Sequence, residues 1–156
     1  MYYYFEDPIE KEYINALIEK IDVEEEVHLY FSTEGGYYDV MMFLINFLNS
    51  KENIIVHLVE SVMSAGGLLF TEYKGKLILE DGLDCLMFHC FDRRLYTLRE
   101  DSYNKNKRLT RQTKQLNENF AKKLKDREIL TEKQTKQFLQ GKDIIIYKEQ
   151  FSKYKL

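Results

Sequence analysis

Proline is nearly absent from this chain of 156 residues, and glycine occurs only seven times. With Pro8 as the lone proline and no low-complexity tract or internal repeat, there is little material for linkers or disorder. The longest apolar stretch, residues 40 to 48, is far too short to cross a bilayer. The opening Met1-Tyr2-Tyr3-Tyr4-Phe5-Glu6-Asp7 lacks the basic region of a secretory signal, so a cytoplasmic protein is expected. Its two cysteines are then expected to be reduced.

What is present is a core. A 44% hydrophobic content over this length predicts a single globular domain, residues 1 to 156. Aromatic residues make up 14% without any tryptophan, and they read as core and interface packing. Four of them stand together as Tyr2-Tyr3-Tyr4-Phe5, a run costly to leave in water and expected to cover the body or a neighbouring copy. The net charge of −3 conceals an asymmetry: residues 1 to 103 hold 8 basic and 20 acidic side chains, and residues 104 to 156 hold 15 and 6. Balances of −12 and +9 predict copies of the chain that attract one another, in preference to a nucleic-acid partner.

The apolar spacing alternates between helix and strand periods. Ile9, Tyr13, Leu17 and Ile21 predict an amphipathic helix over residues 9 to 21. Val27, Leu29 and Phe31 predict a strand, and 38 to 48 a helix apolar nearly all round. The β-branched run 54 to 59 reads as a buried parallel strand, followed by a small-residue helix from Ala65 to Tyr73. Strands over 76 to 79 and 86 to 90 are separated by the turn residues Asp81 and Gly82. Residues 95 to 125 predict a long exposed helix, and Thr131-Glu132-Lys133-Gln134 caps a last helix that Gly141 ends before a strand at 144 to 147. The order implies an α/β fold with mostly parallel strands.

Three short segments carry chemistry. Ser32-Thr33-Glu34-Gly35-Gly36 ends one strand, Ser64-Ala65-Gly66-Gly67 follows the next, and Met87-Phe88-His89 lies on a later one. Glycines after a strand let backbone N–H groups approach a developing oxyanion, and a serine opening a helix gains an exposed Oγ near the positive helix end. A histidine supplies a base that works near neutral pH.

Together these segments resemble the proteolytic subunit of the Clp protease, within the Clp/crotonase superfamily. That family carries Ser-Pro-Gly-Gly, Ser-Met-Gly and Met-(Ile/Val)-His in the same order, and here 29 residues separate Gly35 from Ser64 and 25 separate Ser64 from His89. The similarity covers residues 27 to 92, with a weaker return over 130 to 143. It implies a repeated β-β-α core over residues 1 to 94, a handle-like helix over 95 to 125, and a closing helix and strand over 126 to 156. It further implies Ser64 as nucleophile, His89 as base, and the N–H groups of Gly35 and Ala65 as oxyanion hole. Peptides or unfolded proteins would be the substrate, a ring homo-oligomer the assembly and an ATP-dependent unfoldase the partner, with no cofactor.

Two departures from the family pattern are visible. Glu34 stands where the family has proline or its neighbour, which makes the loop less rigid and more acidic. The third triad acid is either Asp126 or lost, since gapless counting places Lys123 at the family's aspartate and a short gap brings in Asp126. Two rival functions remain: an inactive assembly subunit that keeps the fold, and a crotonase-type acyl-CoA enzyme. Cys85, His89 and Cys90 do not make a zinc site, because residues 85 and 89 share one strand face, Cys90 takes the other, and no second cysteine pair completes a tetrahedron. His28 and His57 read as structural or surface residues.

Overall fold

Val27, Leu29 and Phe31 are fully buried while His28 and Tyr30 between them are half-exposed, which is the signature of a strand with one face against helices. In the computed structural model, which describes residues 1–22, 24–91 and 103–153, this alternation belongs to a five-stranded mixed sheet of an α/β fold. Strands β1 (Tyr2–Phe5), β2 (Val27–Thr33), β3 (Ile54–Met63) and β4 (Lys76–Phe88) run parallel in spatial order, and β5 (Ile144–Tyr147) closes the sheet antiparallel to β4. Helices α1 (Lys11–Lys20), α2 (Tyr38–Asn49) and α3 (Leu69–Glu72) fall between the parallel strands, and α4 (Tyr103–Asp126) and α5 (Glu132–Leu139) between β4 and β5. Because strand order advances in one direction, right-handed crossovers put α1, α2 and α3 on one face. Their buried Ile14, Leu17, Met41, Leu44, Ile45 and Leu48 complement Phe5, Leu29, Phe31, Val56 and Leu58 of the sheet.

The described residues group into two compact units, one of residues 1–88 with 144–156, the other of residues 89–143. The first carries 8 basic and 18 acidic residues, a balance of −10; the second carries 15 and 8, a balance of +7. The charge asymmetry of the sequence therefore follows a structural division.

The aromatic N-terminus packs on the body as an edge strand whose Phe5 is buried and stacks on Phe31 at 5.1 Å, while Tyr2 and Tyr4 remain 64% and 68% exposed. Other elements differ from the expectation. The break expected at Asp81 and Gly82 is absorbed within one strand of 13 residues. There the register with β3 slips, Leu58 pairing with Leu79 but Glu60 with Leu83, and Glu60 adopts a φ of 53°. Such a bulge needs no chain reversal, and exposed Asp81 and Gly82 accommodate the extra residues. The Ala65–Tyr73 helix is a 3-10 segment, Ser64–Leu68, continued by the single turn of α3.

In the second unit, α4 matches the described part of the expected 95–125 helix, whose residues 95 to 102 lie outside the described set. It is not exposed throughout. Phe120, Ala121 and Leu124 are buried at helical spacing, and Phe120 meets Phe138 of α5 edge-on at 5.9 Å. Thr131 forms the expected capping box with Gln134, and Gly141 takes a φ of 82° after α5. Among the described residues, no helix is long and apolar enough to cross a membrane.

Tyr73 ties the loop after α3 to the sheet by donating its hydroxyl to Ile54 O at 2.7 Å, and burial pushes its phenol up to about 12. An unfolded tyrosine loses its proton near pH 10, so between those values the folded chain keeps a proton that the unfolded chain has released. Stability from this group is fully present below about pH 10 and falls as pH rises toward 12. Tyr73→Phe is expected to cost about 1 kcal/mol at neutral pH and to flatten that alkaline decline, as read by urea titrations at stepped pH.

Candidate active site

Ser64 sits where β3 hands over to the 3-10 helix, half-buried, with a backbone φ of 55°. Only glycine enters that left-handed region freely, so a serine there stores strain of about 1–2 kcal/mol. Strand, sharp turn and helix start, with the serine at the turn, is the arrangement that pushes a nucleophilic hydroxyl out of the sheet. Ser64 is held there by what surrounds it. Behind it Gly66 lets the chain close on β2, since a β-carbon at Gly66 would lie 2.7 Å from Thr33 Cγ2 and 2.9 Å from Val62 Cγ1.

The structure brings Gly35 and Ser64 together. A β-carbon on Gly35 would fall 2.5 Å from Ser64 Cβ, 3.0 Å from Met63 O and 3.1 Å from Ser64 Oγ. Gly35 itself has a φ of 105°, so both crowding and conformation call for glycine. The loop is stitched to the segment after β1: Ile9 N–H donates to Gly35 O at 2.8 Å and Tyr37 N–H to Ile9 O at 2.9 Å. The Gly35 N–H, expected to face an oxyanion, donates to Thr33 Oγ1 at 3.0 Å, and Thr33 Oγ1 in turn donates to Asp7 O at 2.9 Å. Glu34 is exposed beside it, and Ala65 is buried as the second residue of the 3-10 helix.

The remaining predicted residues belong to the second unit. His89, half-buried, is its first residue, directly after the end of β4. Asp126 ends α4 and pairs with Lys122 one turn earlier, both exposed. Lys123, the alternative at that position, lies on the same helix. Cys85 and Cys90 are free thiols, half-buried, and burial pushes each above the ordinary thiol range. Cys90 Sγ donates to Phe138 O at 3.1 Å. Among the described residues no three His, Cys, Asp or Glu side chains gather as a metal site.

A second polar arrangement escaped sequence reasoning. His28 Nδ1 and His57 Nε2 lie 2.8 Å apart, His28 Nε2 is 3.0 Å from Glu26 Oε1, and His57 Nδ1 is 2.5 Å from Glu80 Oε1. Tyr30 stacks on His57 at 4.6 Å and Tyr2 on His28 at 5.1 Å. The contacts join the two rings and two carboxylates into one polar chain along the open face of β2 and β3. The only sequence signal was that both histidines alternate with buried residues on adjacent strands. His57→Leu would leave His28 and Glu80 without their partner and is expected to cost about 2 kcal/mol, measured by denaturant unfolding.

No family model matches the chain, and no curated protein matches it.

Proposed function

We propose that this chain is a Clp-like serine peptidase with a Clp/crotonase-type core, cleaving peptide bonds by acyl transfer. Ser64 Oγ attacks the scissile carbonyl, His89 takes its proton and returns it to the leaving amine, and the N–H groups of Gly35 and Ala65 hold the oxyanion. Asp126 is the proposed acid that orients the imidazole. The observation that carries this reading is the strained φ of 55° at Ser64, with Gly35 pressed against it. A strain of that kind on a polar residue beside a glycine loop is expected at a nucleophile and brings no packing advantage.

The substrates are peptides or unfolded polypeptides in the cytoplasm, and the reaction needs no cofactor. Units of −10 and +7 favour a homo-oligomer in which the acidic unit of one copy meets the basic unit of the next, a ring being the proposed form. An ATP-dependent unfoldase would feed it. Two observations favour a second reading, a catalytically weak assembly subunit: the Gly35 N–H is engaged by Thr33, and Asp126 is paired with Lys122. Hydrolysis of a panel of fluorogenic peptides by the assembled protein separates the two. Turnover that requires both Ser64 and His89 supports the peptidase, and absence of turnover in a folded oligomer supports the assembly subunit.

A further inference from the structure

We infer that Thr33 is a positioning residue that latches the Glu34–Gly35 peptide, keeping the Gly35 N–H turned away from the oxyanion until the loop is released. This rests on Ser64 being the nucleophile. A backbone N–H has one proton to give, and here it goes to Thr33 Oγ1 at 3.0 Å. The acceptor is fixed from two sides. Its own proton goes to Asp7 O at 2.9 Å, which aims a lone pair at Gly35, and its methyl packs so close to Gly66 that a β-carbon there would come within 2.7 Å of it. Thr33 is only 2% exposed, so water does not compete for the hydroxyl.

The other side of Gly35 is held separately. Ile9 N–H grips its carbonyl at 2.8 Å, so the movable part is the peptide plane before it, between exposed Glu34 and a residue without a β-carbon. Such a plane can turn by compensating rotations at Glu34 ψ and Gly35 φ while the flanking α-carbons stay in place. The latch is thus a two-position element, and Asp7, between β1 and α1, connects it to the N-terminal strand.

The test compares Thr33→Val, which keeps the shape and loses the hydroxyl, with Thr33→Ser, which keeps the hydroxyl. Two readouts are taken: hydrogen exchange of the Gly35 amide, and the rate at which a fluorophosphonate modifies Ser64. T33V is expected to show faster Gly35 exchange and a labelling rate raised roughly five- to tenfold, the factor associated with one hydrogen bond, with T33S matching the wild type in both. Should T33V not fold, Thr33→Ala removes the same hydroxyl and carries the same expectation. Unchanged or slower labelling in a folded variant lacking the hydroxyl overturns the latch. If neither wild type nor variant is labelled at Ser64, the peptidase reading fails and the latch with it. Gly35 exchange then still reports the Thr33 bond by itself, so the two failures are told apart.

Discussion

Gly35→Ala is expected to cost about 3 kcal/mol of stability and to abolish reaction at Ser64. Two independent penalties add at this position. The new β-carbon would sit 2.5 Å from Ser64 Cβ, so either the loop or the serine must move, and a φ of 105° is one that alanine adopts only under strain. Displacing Ser64 by even an ångström would ruin its alignment with any oxyanion donor. Gly82→Ala is the control, because a β-carbon there meets nothing within 4 Å, and a change within about 0.5 kcal/mol is expected. Urea unfolding of both variants, with fluorophosphonate labelling of the folded fraction, measures the contrast.

Ser64→Ala is expected to lower peptide turnover by about 10⁶ with little change in fold, the scale seen when a hydrolase loses its nucleophile. Stability provides a second, independent check. Ser64 is held at a φ of 55°, so Ser64→Gly should be more stable than Ser64→Ala by about 1 kcal/mol, since only glycine relieves the backbone strain. A residue placed there merely for tight packing would give the opposite order, because alanine would fill the space that glycine leaves empty. Thermal melts of the two variants distinguish these cases without any activity assay.

The parts of the fold that were legible in the sequence are those where period and local chemistry agree. Val27, Leu29 and Phe31 alternate, and β2 starts at Val27; Thr131 and Gln134 carry the capping box, and α5 begins after Thr131. The α/β class followed from the alternation of such segments. What could not be read depends on pairing between distant residues. Asp81 and Gly82 are turn formers locally, but the slip of β3 at Glu60 lets β4 run straight past them. Phe120 is an isolated aromatic on a charged helix in the sequence, and Phe138 of α5, distant along the chain, supplies a ring that covers it.

The same distinction holds at the candidate site. The glycine loop and the serine were visible as motifs, and the structure brings Gly35 against Ser64. Thr33 stands between Ser32 and Glu34 in the first motif, yet its hydroxyl bonds Asp7 O and its methyl packs on Gly66, both far away in sequence, and no local pattern announces such contacts. The link from His28 to His57 likewise exists only because Tyr30 pairs with His57 across β2 and β3, which sets the two rings diagonally beside each other.

Ser64 as an activated nucleophile is open to a direct check by mass spectrometry of the wild-type protein after reaction with a fluorophosphonate. Attack by Ser64 Oγ forms an oxygen–phosphorus bond as fluoride leaves and the hydroxyl proton passes to a base. One phosphonyl adduct per chain is expected, located on the peptide containing Ser64, lost in Ser64→Ala and strongly slowed in His89→Gln. A folded, assembled protein that carries no adduct, or carries it on another residue, would contradict it.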